Sequence, residues 1–258
     1  MKLLLSFDIE EFDTPLKYGK SLTINEQLAP SLEGTKQILS LLSAYQVKAT
    51  FFCTAHFAQS APELLRQMVT DGHEVASHGY SHASFSMADF EASKKVLEEI
   101  TAVPVVGFRM PRMQPVDTKM LLSSGYEYDA SLHPTFLPGH YNHRKKPRTW
   151  FRQDGIWEMP ASVTPHFRIP LFWLSFHLFP WPLYRFMLQQ TIRHDTYALL
   201  YFHPWEFVDL QDPRFGIPCY IRYHSGLELL NRLEKLIQHA IHQHWEFSTI
   251  TDFIRQQK

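Results

Sequence analysis

The sequence predicts an α/β fold in which parallel strands close into a barrel resembling a TIM barrel. Apolar runs of strand length alternate along the chain with stretches that have the periodicity of helices. This alternation predicts parallel strands joined by right-handed crossovers, and its many repeats favour a barrel over an open sheet. Polar side chains follow several of these strands, at the carboxyl ends where barrel enzymes collect their chemical groups.

The predicted elements follow one another in a regular order. The runs predicted to be strands are 3–8, 47–53, Glu74–Ser77, 105–109, 126–131, Tyr197–Phe202 and 247–250. Helical periodicity marks residues 31–45, 61–71, 87–100, 115–124 and 226–244. Ser31 is the expected cap of the first helix, and Gly72 and Gly125 are expected to end the second and the fourth.

Residues 133–190 interrupt this rhythm and are predicted to be an insertion, with a further strand at 156–159. There is no internal repeat or linker, so residues 1–258 are interpreted as one domain. Within the insertion, residues 167–188 are rich in aromatic residues and leucine. This segment is either a buried cap over the barrel or a surface at a membrane interface, where Trp, Phe and flanking Arg are favoured.

Composition excludes several classes of protein. The chain has 258 residues, 45% of them hydrophobic, and a net charge of -1, so it can form a large core but lacks the basic surplus of a nucleic-acid-binding protein. Cys53 and Cys219 lie far apart and indicate free thiols in a reducing compartment. The first apolar run is too short for a signal peptide, and no segment reaches the roughly 18 apolar residues of a membrane span. We therefore expect a cytoplasmic protein.

Two acidic residues, Asp8 and Glu10, close the first predicted strand. Strand side chains repeat with a period of two, so both carboxylates should point the same way. Carboxylates held together repel one another unless a cation lies beside them, which makes a metal site plausible. The alternative is an acidic surface loop.

Two histidines, His78 and His82, stand four residues apart after the strand Glu74–Ser77. Such a pair meets on one helical turn or converges from a tight loop that Gly79 permits, and its imidazoles can share one metal ion. The alternative is a pair of solvated loop histidines.

Three further polar residues end predicted strands. Arg109 needs a carboxylate partner if it is buried, and Asp8 is the candidate; otherwise it reaches bulk water. Asp129 either binds substrate or caps a strand end. His203 follows a very apolar strand, where partial desolvation suits it to proton transfer near neutral pH, although a core histidine satisfied by its neighbours is the alternative.

Taken in order, these motifs resemble those of the polysaccharide deacetylase superfamily, carbohydrate esterase family 4. The resemblance runs from Leu3 to about Ile250 and covers the motifs at Asp8, His78-x-x-x-His82, Arg109-x-Pro111, Asp129 and His203, with 155–160 as a further similar segment. It implies a distorted (β/α)7 barrel. It also implies one divalent metal ion, usually zinc, with cobalt, nickel, iron and manganese as alternatives.

The resemblance also implies a role for each matching residue. The usual family pattern has two adjacent aspartates, but Ile9 occupies the second place here, so a branch with Asp-x-Asp or Asp-x-Glu is closer. On that reading Asp8 is the general base and Arg109 supports it, while His203 is the general acid. The metal ligands are Glu10, His78 and His82. The residues expected to bind substrate are Asp129, Pro111, Trp205 and Tyr80.

The substrate implied by the resemblance is an N-acylated amino sugar. The alternatives are deformylation or hydrolysis of another amide on the same barrel, and a catalytically silent barrel that only binds carbohydrate. The basic residues Arg144, Lys145, Lys146 and Arg148 precede the aromatic segment and would suit anionic headgroups or a pyrophosphate. They favour a lipid-linked or nucleotide-linked sugar as substrate. If 167–188 is a membrane surface rather than a buried cap, we expect it to contact the inner face of the membrane peripherally.

Overall fold

The computed structural model describes residues 1–139 and 141–257; His140, inside the predicted insertion, and Lys258 lie outside the described residues. The strands of the described part are β1 (Lys2–Ile9), β2 (Thr50–Cys53), β3 (Glu74–Ser77), β4 (Gly107–Phe108), β5 (Tyr128–Asp129), β6 (Phe136–Leu137), β7 (Tyr141–Asn142), β8 (Phe151–Gln153), β9 (Ile156–Glu158), β10 (Tyr197–Phe202) and β11 (Glu246–Phe247).

Helices connect most of these strands. They are α1 (Ile24–Ala44), α2 (Ala55–Ser60), α3 (Pro62–Thr70), α4 (Asp89–Thr101), α5 (Thr118–Ser123), α6 (Trp173–Leu178), α7 (Trp181–Asp195), α8 (Cys219–Arg222), α9 (Leu227–His242) and α10 (Ile250–Arg255). Short 3-10 helices lie at Thr14–Tyr18, Pro111–Met113 and Pro204–Phe207.

The main sheet curls into the predicted distorted barrel. Its strands lie in the order β10-β1-β2-β3-β4-β5-β9-β8, with β11 beside β1. All neighbours from β10 to β9 are parallel, and only β8 runs antiparallel to β9. The segment after β9 is hydrogen-bonded to β10. The backbone N–H of Ser162 donates to Leu199 O (2.9 Å), and the Leu199 N–H donates to Ser162 Oγ (2.8 Å). This contact brings the two sides of the curled sheet together.

Strand β1 orients the first candidate residues. Leu4 packs inside the barrel with Phe52, Ala76 and Tyr128 from neighbouring strands, whereas the odd-numbered apolar residues of β1 pack in the cluster that includes the helices. Because side chains alternate along a strand, Ser6 and Asp8 share the inward face with Leu4. Glu10 continues this face just beyond the strand, so the carboxylates reach the carboxyl end of the barrel.

Some element boundaries differ from those predicted. Helix α1 begins at Ile24, seven residues before Ser31, because Thr23 and Glu26 form a capping box and Pro30 is accommodated inside the helix. Ser31 is therefore not the cap, and its hydroxyl instead donates to Glu10 O at 2.6 Å. The predicted last strand is also shorter, since Thr249 caps helix α10 where the strand was expected to continue.

The segment predicted as an insertion contributes to the barrel itself. Strand β9 pairs in parallel with β5, and helix α7 packs against β10 as a crossover helix does. In the aromatic part, Phe176 and Leu188 belong to the main core, whereas Phe167 is 85% exposed and Phe186 is 57% exposed. The aromatic segment is thus divided between core and surface. In the described part of the chain, no helix has the length and apolar character needed to cross a bilayer.

Close packing of α1 fixes the position of the segment after β10. Gly34 lies so close to that segment that an added Cβ would sit 1.8 Å from Pro204 O. A larger residue at position 34 would therefore displace Pro204 and with it His203, the candidate acid.

Candidate metal centre and catalytic groups

Glu10, His78 and His82 converge at the carboxyl end of the barrel. Their ligand atoms all lie within 4.8 Å of one another, and all three residues are buried. Glu10 Oε2 is 3.1 Å from Nε2 of His78 and 3.1 Å from Nε2 of His82. One carboxylate and two imidazoles are a ligand set that suits zinc and leaves further coordination positions open.

The histidine pair converges from a loop rather than from a helical turn. His78 directly follows β3, and its N–H donates to Cys53 O at 2.9 Å. Gly79 then adopts a φ of 78°, a left-handed conformation that turns the chain sharply. The buried Glu11 carboxylate accepts from the His82 N–H at 3.3 Å and so holds the far end of the loop.

Both imidazoles are oriented by groups behind them. His78 Nδ1 donates to the carbonyl of Arg109 at 2.8 Å, which turns Nε2 of the ring toward Glu10. His82 Nδ1 lies 3.0 Å from Asp13 Oδ1, and Arg112 contacts the other oxygen of Asp13 at 2.6 Å. A carbonyl and a carboxylate behind the ring nitrogens are typical of metal-binding histidines.

The charge of Glu10 is stabilised where it would bind a cation. Burial raises the pKa of Glu10, but His82, His203 and His78 outweigh this effect and hold the pKa well below its usual range. Trp205 Nε1 donates to Glu10 Oε1 at 3.2 Å, so the indole fixes one oxygen and leaves Oε2 between the histidines. The donor types, their burial and their supporting groups all fit one divalent metal ion.

Asp8 and Arg109 form a buried pair beside this centre. Arg109 Nη1 donates to Asp8 Oδ1 at 2.5 Å and to Ser6 Oγ at 3.0 Å, while its Nε donates to Ala130 O at 3.1 Å. The guanidinium is fully buried and lies 4.0 Å from the ring centre of Phe52. Among the described residues, Asp8 Oδ2 has no hydrogen-bond partner. Arg109 therefore fixes one oxygen of Asp8, and the second oxygen is left to accept a proton.

His203 is the outermost member of a buried chain of three side chains. Its Nδ1 lies 2.6 Å from Glu206 Oε1, and Glu206 Oε2 lies 2.8 Å from Nε2 of His177, whose Nδ1 contacts Tyr223 O at 2.7 Å. Burial lowers the pKa of His203, but the carboxylates of Glu10 and Glu206 outweigh it and raise the pKa to about 9. Glu206 thus fixes Nδ1 of His203 and leaves Nε2 to donate a proton.

We expect Glu206→Gln to move the alkaline limb of the kcat profile to lower pH by roughly one pH unit. The carboxylate favours imidazolium, so its loss lowers the pKa of His203, and the protonated acid is lost at a lower pH. The measurement is the dependence of kcat on pH between pH 6 and 10. A variant with reduced kcat but an unmoved alkaline limb would assign Glu206 a structural role only. Glu206→Asp, which keeps the charge, should restore part of the wild-type profile.

The residues predicted to bind substrate lie at the same end of the barrel in different surroundings. Trp205 is buried and stacks against His203 at 4.9 Å, so it positions side chains of the site. Pro111 is buried beside Gly79. Tyr80 is half-buried, and its hydroxyl contacts Gln59 at 3.4 Å. Asp129 is buried, and its Oδ1 accepts a hydrogen bond from the Ser131 N–H at 3.1 Å. Their proposed contacts with substrate remain predictions.

Sequence reasoning missed three supporting residues, namely Asp13, His177 and Glu206. For Glu206 the sequence does contain a signal, because this residue lies three positions after His203 on a short helical turn. Asp13 and His177 carried no local signal, because their partners are distant in sequence.

Comparison with known proteins shows which families the chain is similar to. A family model described as polysaccharide deacetylase matches residues 21–130, and one described as a domain of unknown function, DUF3473, matches residues 130–255. A probable polysaccharide deacetylase from Pseudomonas aeruginosa PAO1 has a similar structure, with a TM-score of 0.66, 18% identity, and coverage of 98% of this chain and 89% of that one. Residues 21–130 of this chain are thus similar to the polysaccharide deacetylase family, and the whole chain shares the fold of the Pseudomonas protein.

Two curated deacetylases are similar to part of this chain. A peptidoglycan deacetylase of Helicobacter pylori is 30% identical over 115 residues, which are 41% of this chain and 39% of the relative. A chitooligosaccharide deacetylase of Rhizobium leguminosarum is 29% identical over 146 residues, which are 55% of this chain and 64% of the relative. The chain therefore spans less than two thirds of these relatives.

Proposed function

We propose that this chain is a metal-dependent deacetylase that hydrolyses the N-acetyl amide of an amino sugar. One observation carries the proposal: Glu10, His78 and His82 converge beside Asp8, whose Oδ2 has no hydrogen-bond partner in the described part of the chain. The names of the relatives support an acetylated saccharide as substrate. A deformylase, or an enzyme for another amide, would use the same groups, and a barrel that only binds carbohydrate is the alternative outside catalysis.

The proposed metal ion is zinc, held by Glu10, His78 and His82. When bound, it supplies a Lewis acid that polarises the amide carbonyl and acidifies the attacking water. Asp13, Arg112 and the Arg109 carbonyl would keep the two imidazoles in place.

The protein groups supply the proton transfers. Asp8 accepts a proton from the attacking water through Oδ2, while Arg109 holds the carboxylate in position and balances its charge. His203 donates a proton from Nε2 to the nitrogen of the leaving group as the C–N bond breaks. One water molecule is consumed, and acetate and a free amine are released.

The proposed setting is the cytoplasm, next to the inner face of the membrane, with a lipid-linked or nucleotide-linked sugar as substrate. The exposed Phe167 and Phe186 support this placement, since exposed aromatic residues favour the membrane interface. The basic residues at 144–148 contribute less free positive charge for binding anionic headgroups than expected, because Arg148 is paired with Asp195. Sedimentation with vesicles of anionic phospholipid tests the placement: absence of co-sedimentation at low salt would remove the membrane contact.

Metal analysis joined to acetate release tests the proposed activity. The purified protein should contain about one divalent ion per chain and release acetate from at least one of a panel of N-acetylated nucleotide sugars, lipid-linked sugars and chitooligosaccharides. Release of formate alone would favour deformylation. Saccharide binding without any acyl release by the metal-loaded protein would favour the silent carbohydrate-binding barrel.

A further inference from the structure

His177 lies at the inner end of the chain of side chains behind the candidate acid His203. It belongs to helix α6, and its side chain is fully buried. Its Nε2 lies 2.8 Å from Glu206 Oε2, and its Nδ1 lies 2.7 Å from the carbonyl oxygen of Tyr223. Both ring nitrogens of His177 therefore have a hydrogen-bond partner, and both partners are oxygen atoms.

These two contacts determine the number of protons on the His177 ring. A backbone carbonyl oxygen can only accept a hydrogen bond, so Nδ1 has to carry a proton. An ionised carboxylate also only accepts, so Nε2 carries a second proton as long as Glu206 is ionised. His177 is then an imidazolium ion. The alternative is a neutral His177 that accepts a hydrogen bond from an uncharged Glu206.

The surroundings of Glu206 favour its ionised form. Its Oε1 accepts from the backbone N–H of His203 at 2.7 Å and lies 2.6 Å from Nδ1 of the same residue. Burial raises the pKa of Glu206, but the contacts with His177 and His203 outweigh burial and hold the pKa below its usual value. A buried carboxylate is stable when positive partners bond both of its oxygens. This arrangement favours a charged His177 over a neutral one.

Aromatic packing shields this chain of side chains from solvent. Trp173 lies edge-on to His177, with ring centres 6.0 Å apart, and edge-on to His203, with ring centres 5.5 Å apart. Little water is present to screen charges in such surroundings, so a charge on His177 acts strongly on its neighbours.

Other titratable groups also face the chain from the elements around it. They are Asp8 and Glu10 from β1 and the segment after it, Tyr201 from β10, and His224, which follows Tyr223 and pairs with Glu228 of α9. These groups stay in place when His177 alone is replaced. A change in the behaviour of His203 then reports the loss of the His177 charge.

We propose that His177 is a positioning residue, a buried imidazolium that holds the Glu206 carboxylate against Nδ1 of His203 and offsets part of its negative charge. The inference rests on the proposed function, because it takes His203 as the general acid. Without His177, the full charge of Glu206 would act on His203, which would then release its Nε2 proton less readily. His177 itself touches no reacting atom.

Nuclear magnetic resonance of protein with isotope-labelled histidine tests the charge of His177 directly. In an imidazolium ring both nitrogens carry protons and have similar chemical shifts, whereas the unprotonated nitrogen of a neutral ring is shifted far from the other. We expect His177 to show the imidazolium pattern at neutral pH in zinc-loaded protein. Its signals are identified by their absence from the spectrum of His177→Gln.

The variant His177→Gln separates the charge from the hydrogen bond. The glutamine amide can still donate to Glu206, but the positive charge is lost. The pKa of His203 should therefore rise, and its ring should titrate roughly one pH unit higher at equal zinc content. The resonance of His203 and the alkaline limb of the kcat profile both measure this shift, which is opposite to that expected for Glu206→Gln.

His194→Gln is the matched control. It removes an exposed histidine that pairs with Asp195 on the surface of the protein, and it should leave the titration of His203 unchanged. Thermal unfolding of each variant checks that it folds. If His177→Gln does not fold, the charge of His177 in the wild-type protein still decides, with its signals identified by elimination against the other histidine variants.

Two results would overturn the inference. One is a neutral His177 ring in the wild-type protein at neutral pH. The other is a titration of His203 in His177→Gln that stays in place or moves to lower pH, since a purely structural His177 would loosen the contact of Glu206 with His203. An active enzyme with a neutral His177 would leave the proposed function standing. A charged His177 in a protein that releases no acyl group would refute the proposed function and leave the charge assignment standing.

Discussion

We expect Asp8→Asn to lower kcat about a thousandfold while metal content stays at the wild-type level. Asparagine has nearly the same shape and can still accept the hydrogen bond from Arg109 through its amide oxygen. It cannot take a proton from water, because an amide is not a base at neutral pH. Acetate release at saturating substrate measures kcat, and elemental analysis of the same sample measures the metal.

Two checks make this result specific. Asp71→Asn, on an exposed carboxylate at the end of α3, controls for a general loss of negative charge and should leave kcat unchanged. The Asp8 variant also leaves the Arg109 guanidinium without its ion-pair partner in the interior, which costs roughly 3–5 kcal/mol, so kcat is measured well below the melting temperature. Unchanged kcat would remove Asp8 as the base, and lost metal would make it a ligand.

Much of the fold was predictable because its pattern is local. Strand β10 is a continuous apolar run and α9 has a clear helical period, and both lie close to where they were expected. The start of α1 was predicted wrongly, because a capping box at Thr23 outweighs the tendency of Pro30 to end a helix. The place of β9 in the main sheet was also missed, since its three residues are too few for periodicity to separate a barrel strand from part of an insertion.

The candidate site also has residues that the sequence predicts and residues that it does not. Asp8 lies near the end of its strand, and Glu10, His78 and His203 follow theirs. In parallel sheets all strand ends of one kind meet at one edge, so the sequence alone predicts that these residues are close together. Supporting residues escape such reasoning. His177 reaches Glu206 from a helix 29 residues away. The importance of such residues depends on burial and on contacts with residues distant in the chain, which no spacing in the sequence reports.

We expect Glu10→Gln to weaken zinc binding at least a hundredfold and to lose activity at stoichiometric zinc. The neutral amide replaces the anionic ligand, and only two imidazoles remain. Competition with a chelator measures the affinity. Thermal unfolding provides a readout independent of activity, because zinc raises the melting temperature only of a protein that binds it. The wild-type protein and Asp8→Asn should show this rise, and Glu10→Gln should show it only at high zinc concentration.

Zinc binding by the two variants together shows which carboxylate, Asp8 or Glu10, is the metal ligand. If Glu10→Gln binds zinc as tightly as the wild type while Asp8→Asn loses it, the roles are reversed and the metal lies nearer to Arg109. The structure argues against that reversal, because Arg109 already neutralises Asp8 at 2.5 Å, whereas Glu10 Oε2 faces two imidazole nitrogens at 3.1 Å. A guanidinium and a divalent cation on the same carboxylate would repel each other in a site shielded from water. The face of a single strand thus offers one carboxylate already paired with a cation and one free to bind the metal.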